Sequence, residues 1–181
     1  MDCLAVDLHQ SAVREFRDPE GKAMRVKEIM TPDPTCCMPT DSAQAAARIM
    51  RDEDTGIVPV IENEQSQKLV GVVTDRDLCM NVVAEGRDPR SVPVGECMTS
   101  PAVACPPDAP VAKATKVMKE NQVRRIPVVD GELKILGIVS MADIVRRGRV
   151  DTVETYHTLK SISEPTAEPS RPRAKSRAQA A

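Results

Sequence analysis

The sequence predicts an α+β fold: two β-α-β-β-α repeats packed about a pseudo-two-fold axis. Two observations carry this. First, residues 26–148 read as one unit laid down twice. Val26, Glu28, Met30, Thr31, Cys37, Pro39, Ala46, Met50, Pro59 and Val60 recur at a constant offset as Val94, Glu96, Met98, Thr99, Cys105, Pro107, Ala114, Met118, Pro127 and Val128. After a small length difference, Gly71, Val73 and Asp77 answer Gly137, Val139 and Asp143. Second, the hydrophobic pattern inside each unit changes from helical spacing to short β-branched runs. A long period repeated only twice is not a solenoid, which needs at least three stacked units. Two homologous halves folded against each other imply paired sites, one per half.

The elements follow in order. Residues 1–25 form an N-terminal extension in which Ala5, Leu8, Ala12 and Phe16 fall at helical spacing, the pattern of a short docking helix. The first repeat, 26–86, opens with an extended, proline-punctuated segment from Pro32 to Pro39. Ala43, Ala46, Ala47 and Met50 then make one apolar helical face. Thr40, Asp41 and Ser42 can cap that helix, and Gly56 stands where a helix stop is expected. Ile57–Ile61 and Leu69–Thr74, joined by a polar turn, read as a hairpin. Pro59 makes its strand short or an edge, because proline cannot donate to a ladder. A second helix opens at Asp75.

A linker, 87–93, leads to the second repeat, 94–148. Its extended opening runs from Ser100 to Pro107. Val111, Ala114 and Met118 repeat the helical face, with Asp108 ahead and Pro110 in the first turn, where a missing N–H costs nothing. The strands are 126–129, containing Pro127, and 134–140; the last helix opens at Met141. The C-terminal extension, 149–181, becomes proline-rich, basic and poor in large apolar side chains from about residue 164, a disordered composition.

Composition narrows the function classes. The chain holds 181 residues, enough for one domain or two small ones sharing a core. Phe16 and Tyr156 are the only aromatic residues, so the core is aliphatic and base-stacking platforms for single-stranded nucleic acid are missing from the repeats. A net charge of -2 gives no pull toward a polyanion, which argues against a nucleic-acid partner. No apolar run reaches membrane-spanning length, and the first ten residues lack the basic and apolar regions of a secretory signal. Six cysteines without a C-x-x-C pair read as reduced thiols of a cytoplasmic protein.

The chemistry concentrates in Thr74-x-x-Asp77 and Ser140-x-x-Asp143. Each hydroxyl sits where a strand gives way to a helix, and each aspartate falls in the first helical turn. Such a carboxylate can accept both hydroxyls of a ribose diol, while the hydroxyl and nearby N–H groups can donate to a phosphate. The same spacing is also close to a capping box, which needs no ligand. Arg124 and Arg125, ahead of the second repeat's hairpin, can serve a helix C-terminus or an anion. Cys37 and Cys105 hold equivalent places; near a two-fold axis they could form a redox or metal pair, or each could be a small buried hydrophobe. His9 and His157 are too isolated for a zinc constellation. No nucleophile elbow, P-loop or dinucleotide fingerprint occurs, and nothing argues for catalysis.

Taken in order, these pieces resemble a tandem pair of cystathionine-β-synthase (CBS) domains. The matching motifs are V-x-E-x-M-T at the start of each repeat, A-x-x-x-M on the first helix, I-V-P-V and R-I-P-V on the strand, and G-V-V-T-D-R-D and G-I-V-S-M-A-D after the hairpin. The chain is similar to small standalone bacterial CBS-pair proteins. That resemblance implies homodimers, often flat discs, and clefts that bind AMP, ADP, ATP or S-adenosylmethionine as regulatory ligands with no required cofactor. It places Thr74, Asp77, Ser140 and Asp143 at the ribose, and Arg124 and Arg125 at the phosphates. The first repeat has Gly56 and Ile57 at the arginine positions, so the second cleft is expected to hold phosphate more tightly unless Arg76 supplies the charge. Thr35 and Val103, with Thr55, Ile57 and Val123, are the expected adenine walls. The expected function is a non-enzymatic regulatory module read by an unidentified protein partner. A ligand-free interaction or stress protein, and a thiol or metal sensor, are the alternatives.

Overall fold

The computed structural model describes residues 23–147 and 152–163. The expected N-terminal helix around Leu8 and the expected disorder from about 164 lie outside these residues. The fold is α+β, and both hairpins form where β-branched runs predict them. In the first repeat β2 (Ile57–Ile61) pairs antiparallel with β3 (Leu69–Thr74). In the second, β4 (Arg125–Val129) pairs with β5 (Ile135–Ser140). Both proline-bearing strands are sheet edges. Each takes one parallel bridge from its own opening segment, Cys37 to Val60 and Cys105 to Val128.

Helix α1 (Ala43–Asp52) buries Ala43, Ala46 and Met50, and α3 (Val111–Glu120) buries Val111, Ala114 and Met118. Of the three residues able to cap α1, Ser42 does so: its side chain accepts from the Ala45 N–H. Asp41 instead accepts from the Met38 N–H at 2.7 Å. Gly56 is not the helix stop. The chain turns at Asp54, with φ 48°, and at its counterpart Gln122, with φ 53°. At Asp54 a short polar side chain tolerates the left-handed region well enough to replace glycine. Asp108 does not cap α3; it pairs with Lys27 Nζ at 2.7 Å, and Pro110 stands one place ahead of the helix as its N-cap residue.

The two repeats exchange their openings. β1 (Thr31–Pro32) leaves the first repeat and pairs with β5, Thr31 opposite Ile138 and Pro32 opposite Gly137. Thr99 of the second repeat bridges Val72 of β3 in return, through hydrogen bonds of 3.0 and 2.8 Å. No regular strand forms at this second opening. The approach is close enough to demand glycine. A Cβ on Gly71 would lie 2.8 Å from the Thr99 carbonyl oxygen, and one on Gly137 2.8 Å from that of Thr31.

The helix starts repeat the exchange. Ala43 N–H donates to the Val92 carbonyl at 2.8 Å, and Val111 N–H to the Met24 carbonyl at 3.0 Å. Free helix N–H groups are thus satisfied by the other repeat's lead-in segment. Packing follows suit. Met24, Val26 and Ile29 join the core built on α3, β4 and β5, while Val92, Val94 and Cys97 join the core built on α1, β2 and β3. A third apolar cluster, Ile61, Val129 and Ile135, lies between the hairpins with Cys36, Met38, Leu69 and Ala104 against it.

The repeats then diverge. Helix α2 (Asp75–Leu78) continues as a π-helical turn, Cys79–Val83, whereas α4 (Met141–Arg147) stays regular. Helix α5 (Thr152–Ser163) packs on α3 and adds Ile162 to the second core. Nothing covers α1 in this way among the described residues. No helix among them is long and apolar enough to cross a membrane.

Candidate functional site

Each candidate motif forms a complete capping box. Thr74 Oγ1 donates to Asp77 Oδ2 at 2.7 Å and accepts from the Asp77 N–H at 3.2 Å. The Thr74 N–H donates to the same carboxylate oxygen at 2.9 Å. Ser140 repeats the geometry: Oγ to Asp143 Oδ2 at 2.6 Å, backbone N–H to Oδ2 at 3.0 Å, and Asp143 N–H to Oγ at 3.1 Å. The box absorbs Oδ2 of each aspartate and the proton of each hydroxyl. No hydrogen bond is recorded to Oδ1 of either carboxylate among the described residues. Thr74, Asp77, Ser140 and Asp143 are all half-buried.

The strand openings are tied to these boxes. Ile57 lies opposite Thr74, and Arg125 opposite Ser140. The Asp75 N–H donates to the Gly56 carbonyl at 3.3 Å, and the Met141 N–H to the Arg124 carbonyl at 2.9 Å. The fold therefore brings Gly56, Ile57, Thr74 and Asp77 together in one place, and Arg124, Arg125, Ser140 and Asp143 in the equivalent place.

The remaining expected residues are placed as follows. Arg76, Arg124 and Arg125 have exposed side chains. Thr35 is exposed and donates to Glu53 Oε1 at 3.0 Å, which holds its segment against the end of α1. Val103, its counterpart, is 37% exposed. Thr55 is half-buried and turns onto Ile57, donating to the Ile57 carbonyl. Ile57 is buried, and Val123 packs against the second core. One residue escapes the sequence reading. Asp75, at the start of α2, places Oδ2 2.7 Å from where a Gly56 Cβ would stand, and Arg125 places a guanidinium nitrogen 3.1 Å from the same point. Nothing in the spacing signals that an arginine of one repeat reaches Gly56 of the other.

Cys37 and Cys105 do not meet. Each is buried in a separate core, as small buried hydrophobes would be, so the alternative of a redox or metal pair has no geometric basis. Burial pushes the Cys37 thiol up to about 12, with Asp41 adding to it, and the Cys105 thiol to about 11. Both stay protonated and unreactive at neutral pH. No cluster of three or more metal-ligating side chains occurs among the described residues.

The model of the CBS domain matches residues 26–84 and 94–149. Hypoxic response protein 1 of Mycobacterium tuberculosis is 33% identical over 141 residues, covering 78% of this chain and 95% of the relative. A crystal structure of hypoxic response protein I with two coordinated zinc ions is 32% identical, with a TM-score of 0.62, over 71% of this chain and all of that one. A CBS domain pair in complex with 5′-methylthioadenosine and S-adenosylmethionine is 27% identical, with a TM-score of 0.62, over 69% of this chain and 95% of that one. CBSX2 in complex with AMP is 26% identical, with a TM-score of 0.57, over 68% of this chain and 94% of that one. Two matched repeats, exchanged openings and paired hydroxyl–aspartate boxes agree: the chain belongs to the CBS-domain family.

Proposed function

We propose that this protein is a non-enzymatic regulatory module that binds an adenosine-containing ligand in the clefts beside its two capping boxes. AMP, ADP, ATP and S-adenosylmethionine are the candidate ligands. The observation that carries the reading is the paired geometry of Asp77 and Asp143. Each carboxylate is pinned through Oδ2, and Oδ1, which has no hydrogen-bond partner among the described residues, can accept from a ribose hydroxyl. An acceptor held before the ligand arrives binds without a further ordering cost. Related CBS pairs solved with AMP and with S-adenosylmethionine support the ligand class.

Thr74, Asp77 and Arg76 would face one ligand, and Ser140 and Asp143 with Arg124 or Arg125 the other. Thr35, Thr55 and Ile57, and Val103 and Val123, would flank the bases. The module works as a cytoplasmic homodimer whose arrangement a partner protein reads. A ligand shifts that arrangement only by its difference in affinity for the two states. Thermal melts with each candidate ligand test the proposal. At a hundredfold excess over the dissociation constant the protein gains about 2.7 kcal/mol, a rise of several degrees. No rise with any adenosyl ligand would sink the reading.

A further inference from the structure

The two helices that begin at the capping boxes end differently. In an α-helix the residue at i+4 shares a face with residue i, so each boxed aspartate has a partner position one turn below it. In the second repeat that position is Arg147, at the end of α4. One of its guanidinium nitrogens donates to the Ile29 carbonyl at 3.1 Å and to the Met30 carbonyl at 3.3 Å. These carbonyls follow the 3₁₀ turn Val26–Glu28 that opens the first repeat, and a basic side chain suits the carbonyl end of a helical turn. In the first repeat the same position is Asn81. It falls in the π-helical turn Cys79–Val83, where i→i+5 bonding breaks the α-helical spacing. No hydrogen bond from the Asn81 side chain is recorded among the described residues.

We infer that Arg147 couples the two clefts, by carrying occupancy of the second cleft into the opening segment of the first. This inference rests on the adenosyl-ligand reading and adds a regulatory step to it. Helix α4 is short and regular, so Asp143 in its first turn and Arg147 in its last move together. The segment that Arg147 holds continues as β1 along β5, and the Asp33 N–H donates to the Leu136 carbonyl at 3.2 Å. Met30 lies over the same strand, its Sδ 2.8 Å from where a Gly137 Cβ would stand, which leaves the segment little slack. Just beyond Asp33 comes Thr35, a base-flanking residue of the proposed first cleft, tied to Glu53 of the first repeat. A ligand drawn to Asp143 fixes α4, the helix fixes Arg147, and Arg147 fixes the path toward Thr35. Coupling between sites is reciprocal, so one such link lets each cleft respond to the other. The mirror path, from Asp77 through Asn81 toward Val103, lacks its link. The clefts therefore communicate through a single seam, on the side of the second repeat.

Hydrogen exchange with and without AMP tests the coupling on the full chain. The Asp77→Ala variant leaves the ligand to the second cleft. In it, AMP is expected to slow exchange of the Met30 and Asp33 amides about fivefold or more. Adding Arg147→Met, which keeps an apolar stem and removes the donors, is expected to abolish that slowing while AMP still binds. Arg147→Lys keeps a donor and is expected to restore part of it. An Arg147 that only stabilises the fold would, once replaced, raise exchange with and without AMP alike. The AMP-induced ratio would then match that of the Asp77→Ala parent, and the coupling would be overturned. AMP binding to the parent with no slowing at these amides would overturn it too, as would binding by the wild type that the Asp77→Ala variant loses entirely. Each of these results leaves the adenosyl reading intact. Wild-type protein that binds no adenosyl ligand would overturn both.

Discussion

The first repeat and the second share a backbone plan but not a surface. Both carry an S/T-x-x-D box with the same hydrogen bonds to within a few tenths of an ångström. Both also need a glycine, Gly71 or Gly137, where the exchanged opening passes over the hairpin. What differs lies outside these contacts. Residues 56 and 57 are Gly and Ile where 124 and 125 are both Arg. Ser42 caps α1 with its side chain, whereas Pro110 offers none. Helix α3 is covered by α5, and α1 has no such cover among the described residues. Exchange of openings explains the division. Each core is built from both repeats, so most buried positions are constrained twice, while the strand openings differ: Ile57 is buried where Arg125 is exposed.

The comparison can be broken most directly at the equivalent methionines. Met118 is fully buried and Met50 is 8% exposed. Met118→Ala is expected to cost about 4 kcal/mol in a denaturant melt, and Met50→Ala less, about 2–3 kcal/mol. Equal costs would mean that the second core is no more completely filled than the first.

Exchange itself is tested at Ile29, which is 1% exposed and packs in the core of the other repeat. Ile29→Ala is expected to cost about 3 kcal/mol. Hydrogen exchange should show the lost protection in β4 and β5. Loss confined to β2 and β3 would contradict the exchanged packing.

The two boxes should be energetically alike. Thr74→Ala and Ser140→Ala each remove a side-chain cap of the same geometry and are each expected to cost about 1 kcal/mol. A clear inequality would show that one junction carries strain or support the other lacks.

The last effect appears only in alkali and vanishes at neutral pH. Burial raises the Cys37 thiol from an ordinary 9.0 to about 12 and the Cys105 thiol to about 11. A raised folded value means the folded state prefers the protonated thiol. Stability is therefore unaffected below pH 9 and falls above it, as the unfolded chain ionises first. Cys37→Ala and Cys105→Ala should each flatten the decline of melting temperature between pH 9 and 11. An unchanged slope would show that these thiols do not govern it.

Much of this molecule was legible in its residues. The strand Leu69–Thr74 and the strand Ile57–Ile61 appear at the predicted bounds, because β-branched runs between polar turns have few other uses. The boxes were legible too, since hydroxyl and carboxylate at that spacing meet through local backbone geometry alone. The exchange was not. Val26 and Val94 look like ordinary leading residues of their own repeats, and only long-range pairing decides which core takes them. The same limit hid the approach of Arg125 to Gly56, and it left open whether Cys37 and Cys105 meet. Helix α5 lies in an extension whose sequence repeats nothing, so the duplication offered no guide to it.

The central claim is that the two boxed aspartates hold an adenosyl ligand. Titration calorimetry of AMP and S-adenosylmethionine into wild-type protein and into the Asp77→Ala, Asp143→Ala double variant measures it. Saturable binding by the wild type, lost in a double variant that still melts cooperatively, is the predicted result. Equal binding by the two proteins, or none by the wild type, would contradict the account.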